Sequence, residues 1–145
     1  MATSSRRPVP DTLPDRPDTS RLHEATDRLN KVLLRCEEAL SELKLGVSAA
    51  VTLDEDEQGW YRALRFGKSG GQFKLLIETG VDGDPDVNIT PLVSASRETR
   101  LEAVNALPEL YKRLLAAFEA EIERVNTSIK SVEELTDDLR AKARK

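Results

Sequence analysis

Leu101 to Leu139 reads LEAVNALPELYKRLLAAFEAEIERVNTSIKSVEELTDDL, with apolar residues recurring at alternating steps of three and four. One seam position falls on Leu101, Pro108, Leu115, Ile122, Ile129 and Thr136, the other on Val104, Tyr111, Phe118, Val125, Val132 and Leu139, and ten of these twelve are large apolar side chains. Such steps keep side chains in one line along an α-helix. Helices of globular domains average about 11 to 12 residues, so a pattern sustained over 39 residues predicts a long helix that seeks another helix. Before Phe118, Leu107 and Leu114 add a third apolar row; beyond it the face narrows to the seam. That change predicts a first half that covers a sheet and a second half that projects as a coiled-coil-like arm. Pro108 lies inside the pattern and removes one backbone donor, which predicts a kink or a division into two consecutive helices.

Upstream of the seam, Ser94 or Ser96 offers a helix cap, with Glu98 in the first turn where the helix dipole favours an anion. The preceding chain has strand character. Val47, Ala49, Val51 and Leu53 alternate with Ser48, Ala50 and Thr52, placing the first set toward a core. After the acidic turn Asp54 to Gly59, Trp60, Leu64 and Phe66 share one face of a second strand, and Phe73, Leu75 and Ile77 one face of a third. The glycine-rich stretch Gly67 to Gly71 between them reads as a hairpin turn. Asp82 to Asp86 forms another turn, and Val87 to Ile89 adds a short edge strand before Pro91. Connections this short predict an antiparallel meander.

Further toward the N-terminus, Leu22, Ala25, Leu29, Val32, Leu33, Cys36, Ala39, Leu40 and Leu43 form one broad helical face. Asp18, Thr19 or Ser20 caps that helix, Gly46 stops it, and its span is about 20 to 45. Residues 1 to 18, with Pro8, Pro10, Pro14 and Pro17 among polar residues, read as a disordered arm. The predicted organisation is therefore this Pro-rich arm, an α+β core over 19–118, a helical interaction arm over 119–140 and a basic frayed tail over 141–145. The fold class is α+β: an N-terminal helix, a three- to four-stranded antiparallel meander, then a long kinked C-terminal helix or two consecutive helices.

The chain has 145 residues, enough for one core, and only 4% of them are aromatic, so that core is mainly aliphatic. A net charge of -4 argues against a general polyanion binder. The single cysteine, Cys36, allows no intrachain disulfide, and no Cys/His cluster has zinc spacing, which together suit a reducing cytoplasmic compartment. The N-terminal stretch lacks the apolar segment of a signal peptide, and no apolar run reaches the length of a membrane span, so no membrane partner is expected. The triplets at Asn88 and Asn126 are then expected to stay unmodified.

No arrangement of residues suggests catalysis, and no enzymatic activity or cofactor is expected. His23, the one histidine, sits in the first turn of the first helix beside Glu24 and Asp27, and Cys36 lies on the apolar face as a small hydrophobe. Lys68 and Ser69 among glycines superficially suggest a phosphate loop, but strand period resumes at Phe73 where a phosphate loop would open a helix. Asp82, Asp84, Asp86 and Asn88 alternate like calcium ligands, yet Val87 stands where the loop needs glycine and Pro85 restricts it.

Two surfaces remain as candidates. The first is the seam, where Leu115, Phe118, Ile122, Val125, Ile129, Val132 and Leu139 would bury apolar surface against a second copy or a helical partner protein, with Glu119, Glu121, Glu123 and Arg124 tuning the pairing. The first helix offers an apolar face of only about 36 Å against about 58 Å in the second, so the excess needs a partner or a bend. β-Branched residues at both seam positions do not match the pattern of parallel dimers and admit antiparallel pairing or a higher bundle. The second surface is the outer sheet face, where Tyr61, Arg65 and Lys74 together suggest a ligand or single-stranded nucleic-acid platform. The order helix, meander, helix in a small acidic chain resembles bacterial secretion chaperones, and that resemblance implies binding of extended client segments. The expected function is a non-enzymatic assembly factor or adaptor acting through the seam, with client binding and nucleic-acid binding as alternatives.

Overall fold

A computed structural model of the chain describes residues 13–144. Helix α1 (Thr19–Glu42) is followed by strands β1 (Ala49–Glu55), β2 (Trp60–Ser69), β3 (Gln72–Val81) and β4 (Asn88–Pro91), a 3-10 turn (Leu92–Ser94) and helix α2 (Arg97–Ala143). The strands form one antiparallel sheet in the order β1-β2-β3-β4, so the α+β meander read from the sequence is the fold.

Each boundary has a local cause. The Asp18 carboxylate caps α1 by accepting from the Ser20 amide at 3.0 Å. The helix ends at Glu42 rather than at 45, and the residue that turns the chain is Lys44, at φ 52°, with its amide donating to the Ser41 carbonyl. Gly46 also has positive φ but lies in the following loop, so the stop comes earlier than the glycine suggests. The β1-β2 turn is held by Asp56, whose carboxylate accepts from the amides of Gln58 and Trp60 at 2.9 Å each. Gly70 and Gly71 form a two-residue hairpin with φ of 62° and 83°; turns of that kind match the twist of paired strands. β4 begins at Asn88 and includes Pro91, one residue later than the spacing predicts. Ser96, and not Ser94, caps α2 by accepting from the Thr99 amide.

The inner face of the sheet presents Val51, Leu64, Phe66, Leu75 and Ile77, all buried, and Leu92 from the 3-10 turn closes the same cluster. α1 inserts Leu33 over this face; α2 inserts Ala103, Leu110 and Leu114. Phe66 stacks on Phe73 with ring centres 5.5 Å apart. Arg62 and Lys68 share the apolar side of β2 and reach out of it. Arg62 passes over the Trp60 ring to Glu102 at 2.8 Å, while Lys68 lies over Phe73.

The helices also cover main-chain groups that would leave the sheet edge open. β4 pairs with β3 only over Leu76 to Thr79. Beyond it, the Leu75 amide donates to the Glu37 carboxylate at 2.7 Å and the Phe73 carbonyl accepts from the Ser41 hydroxyl, both residues belonging to α1. On the opposite edge, the β1 carbonyl of Ala50 accepts from Arg113 of α2 at 2.8 Å. Satisfying edge groups in this way removes a template for unwanted strand pairing.

Of the two forms expected for the C-terminal helix, one long helix or two in succession, α2 takes the first, with 47 residues and Pro108 inside it. A proline costs a helix interior about 3 kcal/mol, but Ala103 on one side of it and Leu110 and Leu114 on the other are anchored in the same core, which holds the helix together across it. The broad face expected of α1 is divided. Leu33 is buried and Leu29, Cys36 and Leu40 pack against the core, whereas Leu22, Ala25, Val32, Ala39 and Leu43 are exposed. Of the predicted arm, residues 1–12 lie outside the described residues, and residues 13–18 carry neither helix nor strand. Of the predicted frayed tail, residues 141–143 continue α2 and Lys145 lies outside the described residues.

Candidate protein interface along helix α2

α2 carries two apolar rows, and the sheet takes only one. The row facing the sheet runs through Ala103, Leu107, Leu110, Leu114 and Ala117, which are buried or half-buried. Its alanines let the helix backbone come close to the strands. The seam lies on the neighbouring flank and remains outside the core for its whole length. Leu101, Val104, Tyr111, Leu115, Ile122, Val125, Ile129, Val132 and Leu139 are 37 to 61% exposed, and Phe118 is half-buried. The seven seam residues singled out from the sequence, Leu115 to Leu139, therefore share one line with Leu101, Val104 and Tyr111, which spacing alone did not separate from the core row.

The seam does not pack on α1. The polar link between the helices lies at the start of α2, where the buried Arg100 guanidinium donates to the Asn30 side chain. From Glu119 to Arg144 only Glu121 and Thr136 are half-buried, and every other residue is exposed. Val125, Ile129 and Val132 floor a shallow groove along this stretch, rimmed by Glu121, Arg124 and Glu133. Glu121 and Arg124 pair at 3.4 Å, so part of the rim charge is internally matched. Leu135, off the seam by one step, is also exposed. A contiguous apolar line of this length in contact with water is unfavourable unless something covers it, since monomers rarely expose large apolar patches.

The outer sheet face is organised differently. The Tyr61 hydroxyl donates to Glu78 at 2.7 Å, and Arg65 lies 3.5 Å from the same carboxylate. Donation to that carboxylate holds the Tyr61 phenol above its ordinary pKa of 10.0, with burial adding to the shift. Gly80 leaves room for the Tyr61 ring and Gly67 for the Arg65 side chain, so both lie flat over the strands. Ala63, whose cross-strand neighbour is Glu78, is buried there, as is Leu76. The adjoining concavity includes Glu55, Asp82 and Asp84. Lys74 stands apart, pairing across to Gly67 and lining a groove with Leu34 and Glu37 of α1. Tyr61 and Arg65 are thus joined through an acid, and Lys74 does not join them.

His23 is exposed in the second turn of α1, which begins at Thr19. Burial, with Glu37 beside it, raises the pKa of the half-buried Cys36 thiol, which keeps it protonated near neutral pH. No helix among the described residues is long and apolar enough to cross a membrane. No protein-family model, no curated protein and no solved structure matches the chain.

Proposed function

We propose that this protein is a non-enzymatic assembly factor that works by self-association through the α2 seam. The observation that carries the reading is the line of exposed apolar side chains from Leu101 to Leu139, interrupted only at the half-buried Phe118 and Thr136, on a helix whose other apolar row already packs on the sheet. Covering such a line removes apolar surface from water, the main favourable term in association. Charged residues at its borders, Glu119, Glu121, Glu123 and Arg124 among them, would select the partner rather than supply most of the affinity. The outer sheet face gives less support to a nucleic-acid reading, because Glu78 and the neighbouring Asp82 and Asp84 place negative charge where phosphates would lie.

The test is the mass of the full chain in solution by sedimentation equilibrium. A multiple of 16.1 kDa is expected for the wild type, and the Ile122→Asp/Ile129→Asp double variant is expected to run as a folded monomer. A wild-type chain that stays monomeric up to high micromolar concentration would overturn self-association. The same mass in wild type and double variant would remove the seam from any role in it.

A further inference from the structure

Resting on that reading, we infer that the occupant of the seam is a second copy of this chain, paired antiparallel along α2 in one register, with the two-fold axis level with Ala120. The inference comes from side-chain size, charge and area taken together. In this register Leu101 lies opposite Leu139 of the second copy, Val104 opposite Thr136, Pro108 opposite Val132, Tyr111 opposite Ile129, Leu115 opposite Val125 and Phe118 opposite Ile122. Every seam position finds a partner. The two aromatic rings each meet a smaller aliphatic side chain, and the one polar seam residue, Thr136, meets Val104, the least exposed of the exposed seam side chains. A parallel arrangement would instead stack Tyr111 on Tyr111 and Phe118 on Phe118, and would put valine at three layers where parallel dimers favour leucine.

The flanking charges select among antiparallel registers. In the proposed one, Lys112 faces Glu133 of the second copy, Asn105 faces Arg140 and Glu119 faces Asn126, so this flank has two opposite-charge pairs and no like-charge pair. Sliding the helices by one heptad in one direction sets Lys112 against Arg140 and Glu119 against Glu133; the other direction sets Glu119 against Glu119. Like charges at such flanks are the usual device against wrong registers. On the other flank, Leu135 falls beside Leu107 of the second copy, which is half-buried at the border between the seam and the row that packs on the sheet. The two Glu121 carboxylates approach at the axis, each held by its own Arg124 at 3.4 Å. Arg100, which that flank would set near Lys142, is buried and directed to Asn30.

The area is sufficient. Leu135 and the nine exposed seam residues together present on the order of 800 Å² per copy, about the share that each partner contributes to an interface of standard size. Antiparallel pairing also places the two sheet domains at opposite ends of the rod, each beside the other copy's arm.

The experiment is a charge swap read by native mass and by a distance. Lys112→Glu and Glu133→Lys each convert both attractive pairs into repulsive ones, and each alone should raise the dimer dissociation constant about tenfold or more at low salt. Mixed together they should form heterodimers with affinity near the wild type, because every pair is again opposite in charge. Both positions are exposed, so each variant is expected to keep the wild-type circular dichroism spectrum. Spin labels on Lys142→Cys, in a Cys36→Ser background, should lie about 65 Å apart along the axis at about 1.5 Å per residue. Dimers with no heterodimer preference, or with labels within about 20 Å, would overturn the antiparallel register and leave self-association standing. A monomer in every sample would overturn both.

Discussion

Leu114 and Leu115 are adjacent in sequence and separated by function. Leu114 is 0% exposed inside the core, and Leu115 is 38% exposed on the seam. Leu114→Ala removes three carbons from a packed site, about 2.4 kcal/mol at about 0.8 kcal/mol per carbon, and the cavity left behind raises the cost to about 3 to 5 kcal/mol. Leu115→Asp touches no core neighbour and should cost the folded monomer less than about 1 kcal/mol, the usual range of surface changes. Its effect on association is the larger one. In an antiparallel dimer it spoils two layers and sets two carboxylates against Val125. Losing about 1 kcal/mol of burial per layer, with carboxylate desolvation added, weakens the dimer by at least about 3 kcal/mol, a factor of about 100 or more. Urea unfolding followed by the single tryptophan, Trp60, reports the first quantity, and sedimentation velocity over a concentration series reports the second. The two must be measured together, because a dimer gains apparent stability with concentration. The reasoning fails if monomeric Leu115→Asp loses as much stability as Leu114→Ala, since both rows would then belong to the core.

Two further outcomes follow from the edges and caps. Glu37→Ala leaves the buried Leu75 amide without its acceptor and should cost about 1 to 3 kcal/mol, whereas Glu37→Gln keeps an acceptor oxygen and should recover most of it; equal denaturation midpoints for both variants and the wild type would show that α1 does not guard the β3 edge. The Asp18 carboxyl is held below its ordinary pKa of 3.8, first by the Ser20 hydroxyl and then by the Ser20 amide. Because the folded value is the lower one, the cap's contribution is complete above the ordinary value and is lost as pH falls through the folded one. A carboxyl titration by NMR should therefore give an Asp18 midpoint under 3.8, and a midpoint at or above that value would contradict the capping geometry.

The meander was legible because period-two alternation and turn residues are local signals. Val51, Leu64, Phe66, Leu75 and Ile77 point inward as their spacing requires, and Gly70-Gly71 turns the chain as a glycine pair should. Lys44 was not legible as a helix stop, since a lysine at positive φ has no sequence signature and the glycine two residues later draws the eye. The Glu37-Leu75 and Arg113-Ala50 bonds were equally hidden, because they join residues far apart in the chain. At the candidate interface, the seam from Leu115 to Leu139 was readable, but its continuation back to Leu101 as an exposed surface was not.

The sequence by itself determined that α2 is long, that it carries a three-four apolar line, and that the sheet between the helices is an antiparallel meander, because each of these depends on periodicity along the chain. Only the tertiary structure decided which apolar row of α2 meets the sheet. Both rows satisfy the helical period, so pattern cannot choose between them. Ala103 and Ala117 leave space for the backbone to approach the strands while Leu110 and Leu114 fill the gaps, whereas the bulkier line through Leu101, Tyr111 and Leu115 cannot come as close. Packing thus consumed the row with small residues and left the larger one facing outward.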